Sequence, residues 1–139
     1  MQITDLPPDE SQNLLMRILA SSESRHLEFK RVSRKMVSKA LETICAFANS
    51  DGGSLVLGIG DVKDFEGNDR LFGIEENPEA VDDLQILLPN KYLPTIASIT
   101  MRRLSCTLYN GHAAGTRGHL LVVSVPRSTK VHSLVGGGT

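Results

Sequence analysis

Six lysine and arginine side chains stand close together in the first third of the chain, and their chemistry suits the binding of phosphate groups. Lys35 and Lys39 are four residues apart, so they share one face of any helix that contains them. Cations grouped in this way contact the phosphates of a nucleic acid, which gives affinity with little sequence preference. The alternative is a solvated helix face without a ligand. The six predicted nucleic-acid-binding residues are Arg25, Lys30, Arg31, Arg34, Lys35 and Lys39.

The charge of the chain is distributed unevenly, although its formal net charge is only -1. Residues 17–39 contain seven Lys and Arg against two acids, a balance of +5. Residues 61–83 contain nine acids against two basic residues, a balance of −7. We therefore expect one basic and one acidic region, because a local basic stretch attracts phosphates even when the whole molecule is nearly neutral.

Other ligand chemistries have less support in the sequence. Cys106, His112 and His119 could be imagined as a zinc site, but their spacing fits no standard pattern. Gly52 and Gly53 precede an apolar run, whereas the glycines of a dinucleotide-binding fingerprint follow a strand. The phosphate-loop pattern is missing from the sequence. No spacing typical of a Ser-His-Asp or Cys-His catalytic arrangement stands out.

Composition indicates one globular domain over residues 1–139, which we expect to be cytoplasmic. Apolar residues make up 40% of the chain and charged residues 22%, which is typical of a folded domain. The first residues lack the basic start and apolar middle of a signal peptide. The longest apolar run is far shorter than a membrane span, so we expect no membrane partner.

The basic cluster lies on two predicted elements that precede a buried strand. Residues 26–30 alternate polar and apolar side chains, which predicts a short half-buried strand. Apolar residues recur with a period of 3.6 over residues 37–48, which predicts a helix capped by Ser33. The continuous apolar run at residues 54–60 predicts a central strand buried on both faces.

A predicted turn joins this helix to the buried strand. Asn49 can cap the helix and bond its own backbone. Gly52 and Gly53 allow an immediate reversal, and at least one of them should have a positive φ. These three residues are therefore assigned a structural role.

The remaining patterns complete a prediction of the α/β class, with a mixed sheet and helices packed on it. Asn77 and Pro78 are a strong helix start. The other expected elements are a first helix capped by Asp9 or Ser11, a strand at residues 70–74 that pairs back, a helix from Asn77 to Leu88, and late strands near residues 96–108 and 120–125.

The order of these motifs resembles the Schlafen/Alba-like DNA-binding domain family (AlbA-2 type), which is shared by Schlafen proteins and many prokaryotic regulators. The resemblance covers roughly residues 11–139. The family pattern is a Glu, four residues, Glu-Phe-Lys, a helix that ends in Ala-Phe-Ala-Asn, two glycines, and a strand that ends in Gly-Ile/Val-x-Asp. The matching residues are Glu23, Glu28-Phe29-Lys30, Ala46-Phe47-Ala48-Asn49, Gly52-Gly53 and Gly58-Ile59-Gly60-Asp61.

This resemblance implies a nucleic-acid-binding domain of a transcriptional regulator, with DNA a more expected partner than RNA and no cofactor required for binding. The first alternative is a metal-dependent endoribonuclease of the Schlafen type. The resemblance then assigns catalysis and Mg²⁺ or Mn²⁺ binding to Glu23, Glu28 and Asp61, because carboxylates hold such ions and position a water molecule. The second alternative is a nucleotide (ATP) binding domain, because relatives are often labelled divergent ATPases.

The end of the sequence departs from the family pattern. Family members usually continue into a Tyr-x-Arg-x-Gly strand, and the chain stops before it. We therefore expect residues 1–139 to be a fragment of a longer regulator. We also expect the segment from about Ser128 either to lack ordered structure or to pair with a neighbouring copy, which would give a homo-oligomer through an exposed sheet edge.

Overall fold

A computed structural model describes residues 1–136 of the chain. Short 3₁₀ turns at Gly67–Arg70, Ile74–Glu76 and Leu88–Asn90 connect the larger elements. The helices are α1 (Pro8–Leu19), α2 (Met36–Ala48) and α3 (Pro78–Leu87), and the strands are β1 (Ile3–Asp5), β2 (Leu27–Lys30), β3 (Gly52–Leu57), β4 (Tyr92–Leu93), β5 (Thr100–Thr107), β6 (Arg117–Pro126) and β7 (Ser133–Leu134).

Five of the strands form one mixed sheet in the order β1-β5-β6-β3-β2. β1 runs parallel to β5, and β2 runs parallel to β3. β6 lies in the middle and is antiparallel to both β5 and β3. The predicted class, a mixed α/β sheet with helices packed on it, is therefore confirmed.

Helices cover both faces of this sheet. Alternate side chains of β3 enter different cores, since Leu55 and Leu57 belong to one cluster and Val56 belongs to the other. The first cluster contains the buried residues of α2 and α3, and the second contains Ile18 of α1. Because successive side chains of a strand point to opposite faces, α1 lies on one side of the sheet and α2 with α3 on the other.

The β2-α2-β3 unit carries most of the motif and agrees with the predicted elements. Two parallel neighbouring strands require a crossover, and α2 provides it. The N-terminal flanking residue of α2 is Lys35 and not Ser33 as predicted, although the Ser33 Oγ accepts the backbone N–H of Met36 at 3.2 Å. Leu55, Val56 and Leu57 are at most 1% exposed, which confirms a strand that is buried on both faces.

The reversal from α2 into β3 depends on Gly52. Its φ is +83°, which side chains other than glycine rarely adopt, and this confirms the expectation of a positive φ. A Cβ atom built there would lie 2.7 Å from the carbonyl oxygen of Val125 and 2.8 Å from the backbone nitrogen of Arg127. Two backbone atoms of the neighbouring segment therefore exclude any side chain at this position.

The glycine requirement predicts different costs for two alanine substitutions. Gly52→Ala should lower the free energy of unfolding by about 3 kcal/mol, since it combines backbone strain with a collision against fixed backbone. Gly67→Ala is the matched control, because Gly67 also has a positive φ (+52°) but a Cβ atom there would meet nothing within 4 Å beyond its chain neighbours. It should cost about 1 kcal/mol. Urea denaturation of both variants measures the difference, and equal costs would show that the collision is relieved.

The prediction of a strand at residues 70–74 is wrong. Only one bridge forms there, between Leu71 and Ile59. The backbone N–H groups of Phe72 and Gly73 both donate to the carbonyl oxygen of Gly58, at 3.0 and 2.8 Å. Gly73 has a φ of +82°, so the chain leaves the pleated conformation and enters a 3₁₀ turn at Ile74–Glu76.

The N-terminal segment also differs from the prediction. α1 begins at Pro8, a position that suits proline because the first helical N–H needs no partner, and not after Asp9 or Ser11. Ser11 is buried, and its Oγ donates to the carbonyl of Leu6 and accepts the N–H of Ser105. The sequence analysis missed β1, whose three residues pair with β5 about a hundred positions later.

The later elements agree better with the sequence. The Asn77 side chain accepts the N–H of Ala80 at 3.2 Å, which confirms the predicted cap of α3. The two late strands exist with shifted bounds, since β5 starts at Thr100 and β6 extends to both sides of residues 120–125. None of the helices formed within residues 1–136 has the length and apolar character needed to span a bilayer.

The segment after Ser128 was expected to lack order or to pair with another copy, and the structure corrects this. β7 pairs antiparallel with β4 of the same chain. The hydroxyl of Tyr92 in β4 donates to the carbonyl of Leu41 at 2.7 Å, which fixes the small ribbon against α2. Residues 137–139 lie outside the described part of the chain.

Candidate nucleic-acid interface

The basic residues are presented by the loop between β2 and α2 and by the first turns of α2. Val32 and Met36 are buried at 3% and 4% exposure, and they anchor the loop and the helix start in the core. The residues between these two anchors face solvent. Arg34, Lys35 and Lys39 are all exposed. The local fold therefore places cations outward at the carboxyl end of β2.

Four of the predicted residues line one open concavity of about 230 Å³. Its walls are formed by Lys30, Arg31, Ser33, Lys35, Met36 and Lys39. The concavity lies where the parallel strands β2 and β3 end, the edge at which open α/β sheets generally bind their ligands. The structure thus brings Lys30, Arg31, Lys35 and Lys39 together, whereas Arg25 precedes β2 and lies at its other end.

Half of the predicted cluster is neutralised by acids. Each of three cations has a carboxylate within 4.0 Å, and two of these acids come from distant parts of the sequence. The pairs are Arg25 with Asp51 at 3.7 Å, Lys30 with Glu28 at 3.2 Å, and Arg31 with Glu76. Within residues 1–136, Arg34, Lys35 and Lys39 form no ion pair. The uncompensated positive charge is therefore concentrated on these three residues.

These free cations lie at the end of α2 where positive charge is least favourable. A helix carries a partial positive charge at its N-terminus, which normally favours acids there. The first turn of α2 contains no acid, and Lys35 is its N-terminal flanking residue. The arrangement costs helix stability and produces a local potential that attracts anions.

Arg31 is held more rigidly than the other cations of the cluster. Its Nε and Nη2 donate to the two carboxylate oxygens of Glu76, with an Nε–Oε1 distance of 3.2 Å. Its Cζ atom lies 3.8 Å from the centroid of the Phe72 ring. The hydrogen bonds to Glu76 raise the pKa of the Arg31 guanidinium above its usual value. This residue is therefore permanently charged and fixed in orientation.

The three carboxylates that the resemblance assigned to a metal each accept a different local hydrogen bond or ion pair. Glu23 Oε2 accepts the backbone N–H of Phe29 at 2.9 Å. Glu28 accepts from Lys30. Asp61 Oδ1 accepts the backbone N–H of Lys63 at 2.9 Å, which closes a short turn. Glu23 thus supplies a partner to an N–H of β2, which is an edge strand of the sheet.

A buried arginine that the sequence analysis did not assign to the site lies close to two of these acids. Arg70 is 1% exposed, and its Nε donates to the carbonyl of Gly60 at 3.0 Å. Its Cζ atom lies 4.9 Å from the Phe29 ring centroid. Burial lowers the pKa of Arg70, and the negative charges of Asp61 and Glu23 partly oppose this shift. The only signal in the sequence is a charged residue directly before the apolar pair Leu71-Phe72.

The placed residues do not fit a divalent metal. Across residues 1–136, no three His, Cys, Asp or Glu side chains come together in a group that could hold an ion. This statement covers Glu23, Glu28 and Asp61, and also the imagined set of Cys106, His112 and His119. The Cys106 thiol is buried, and burial raises its pKa to about 11. We therefore derive no hydrolytic step from these side chains.

Asn49 has a longer-range role than the one expected from its position in the turn. Its Nδ2 donates to the carbonyl of His132 at 2.9 Å, and its Oδ1 accepts the N–H of His132 at 2.8 Å. His132 itself is 3% exposed, and its Nδ1 donates to the carbonyl of Pro94. The side chain therefore fixes the segment before β7, and does not bond the backbone of its own turn as we expected.

Gly53 has a packing role at the same turn. A Cβ atom at Gly53 would lie 2.6 Å from the ring of Phe47, so the last turn of α2 packs directly on the backbone of β3. The Ala-Phe-Ala-Asn and Gly-Gly parts of the motif thus have structural explanations in this chain.

The chain belongs to the Schlafen, AlbA_2 family, whose model matches residues 23–136. A solved structure with a similar fold is the solution structure of the N-terminal domain of a RecG-related protein from Nitrosomonas europaea. The two chains are 24% identical, and their superposition has a TM-score of 0.60. The similarity covers 93% of this chain and 82% of the other.

The contact between Glu23 and Phe29 predicts a structural effect of a Glu23 substitution. Glu23→Ala should lower the free energy of unfolding by about 1 kcal/mol, because the Phe29 N–H loses its charged partner. Glu23→Gln should retain most of the stability, since its amide oxygen can still accept. Chemical denaturation compares the two variants. A stable Ala variant would show that this hydrogen bond contributes nothing.

The contact between Asn49 and His132 predicts local opening after its removal. Asn49→Ala should cost about 2 kcal/mol, because a backbone donor and acceptor of a buried residue lose their partners together. Hydrogen exchange of the His132 amide should accelerate, while exchange in β3 should stay slow. Ser50→Ala is the neighbouring control, since the Ser50 hydroxyl bonds only within its own helix end. Unchanged His132 exchange in Asn49→Ala would contradict the assigned role.

Proposed function

We propose that this domain binds nucleic acid through the concavity at the start of α2. The observation that carries the proposal is the group of unpaired cations Arg34, Lys35 and Lys39 at the positive end of a helix. Such a group lowers helix stability unless an anion compensates it. A polyanion with regularly spaced phosphates is the ligand class that suits several separated cations on an open surface.

The family and the fold support the same proposal. The chain belongs to the Schlafen, AlbA_2 family, and the name of the structural neighbour relates that protein to a DNA helicase. We propose DNA as the partner and a role in transcription regulation for the protein that carries the domain. Contacts to phosphates dominate in this arrangement, so the domain should bind with little preference for sequence.

Charge reversal in the concavity tests the proposal. Lys35→Glu with Lys39→Glu should weaken binding to a short DNA duplex by about tenfold or more, and should reduce the slope of log K against log salt by roughly 0.9 for each lost phosphate contact. Fluorescence anisotropy at several salt concentrations measures both effects.

The matched control for this experiment is Arg17→Glu with Lys130→Glu. Both residues are exposed, Arg17 lies on α1 across the sheet, and Lys130 follows the segment that contacts the C-terminal end of α2. The control changes the net charge equally and should keep wild-type affinity. An equal loss in both double variants would reduce the effect to total charge and overturn the assigned surface.

Incubation of the protein with structured RNA and Mn²⁺, followed by a test of whether the RNA is cut, distinguishes the ribonuclease alternative. The proposal expects structured RNA to be recovered intact. Cleavage that requires Mn²⁺ and stops in Glu28→Gln would instead favour an enzyme, and would require the three carboxylates to rearrange on binding.

A further inference from the structure

Arg31 presents a flat, fixed surface beside the proposed phosphate site. Its guanidinium lies over the Phe72 ring, with the Cζ atom 3.8 Å from the ring centroid. Phe72 is 3% exposed and packs edge-to-face on Phe65, with the ring centroids 5.0 Å apart, so this support is itself held by packing. The Arg31 side chain nevertheless remains 46% exposed. Because Phe72 lies against one side of the guanidinium, a ligand would have to approach it from the opposite side.

The ion pair with Glu76 changes what Arg31 can contribute to binding. Two N–H groups along one edge are committed to the carboxylate, and the charge of the pair is close to zero. Attraction for a phosphate is correspondingly reduced. The planar face of the guanidinium is unaffected, and such planes stack on nucleobases.

This plane lies in the same concavity as the lysines of the proposed phosphate site. Arg31 lines the same concavity as Lys35 and Lys39. A strand whose phosphates contact these lysines can therefore place a base against Arg31. In a duplex the faces of the bases are covered by their neighbours, so only an unpaired base can stack on a side chain.

We propose that Arg31, supported by Phe72 and oriented by Glu76, is a stacking platform for an unpaired nucleobase, so that the domain prefers single-stranded nucleic acid. This inference rests on the proposed function of the same surface. It assigns the affinity to two separable contributions, which are phosphate contacts at the lysines and base stacking at Arg31.

The experiment compares three labelled DNA ligands in an anisotropy assay. The first is oligothymidylate, whose bases stack weakly on one another and are free to contact the protein. The second has the same backbone with every base removed. The third is a hairpin duplex. The wild-type protein should bind oligothymidylate about tenfold more tightly than the abasic strand, since stacking contributes about 1–3 kcal/mol per base.

Two variants assign this preference to Arg31. Arg31→Lys keeps the charge but removes the plane, so it should bind the normal and abasic strands equally. Arg31→Tyr restores a flat face without a charge and should keep the preference for bases. Thermal melting establishes that both variants are folded before their affinities are compared.

The outcomes separate this inference from the proposed function. Salt-dependent wild-type binding that is equal for the normal and abasic strands would overturn the stacking platform alone. A base preference that survives in Arg31→Lys would also overturn it, since the base would then stack elsewhere. Failure of the wild-type protein to bind any of the three ligands would overturn the proposed function itself.

Discussion

The close approach between Gly52 and the end of β6 determines where the rest of the site can lie. The carbonyl of Val125 and the nitrogen of Arg127 leave no space for a side chain at Gly52, and the positive φ of this glycine allows β3 to begin at Gly52 soon after α2 ends at Ala48. α2 is then forced back across the sheet, beside β3. Its N-terminus consequently lies at the carboxyl ends of β2 and β3, which is where the unpaired cations are found.

Local patterns in the sequence predicted the elements that local forces determine. The 3.6-residue period of α2 and the apolar run of β3 indicate which side chains are buried, and both elements formed where expected. The strand predicted at residues 70–74 does not form, because Gly73 has a positive φ. The apolar composition of this segment does not reveal that conformation. β1 and β7 could not be predicted, since two or three residues carry no periodicity and their partners lie far away in the chain.

The sequence predicted which basic residues form the candidate site, but not which of them are neutralised by acids. The sequence brought six basic residues into one stretch, and four of them share one concavity. Pairing depends on acids that approach only after folding, such as Glu76, which lies 45 residues from Arg31. The same limit applies to Arg70, whose burial near Asp61 and Glu23 depends on tertiary packing. Counts of basic residues in the sequence therefore overstate the positive electrostatic potential of this surface.

The central position of β6 has a consequence for the newly made chain. β6 separates β3 from β5, so the two halves of the sheet cannot join until residues 117–126 have left the ribosome. At typical rates of synthesis, roughly ten seconds pass between the appearance of β2 and that of β6. During this time β3 has no partner strand on the edge that later pairs with β6. The nascent domain therefore keeps an open sheet edge at β3 until translation of β6 is complete.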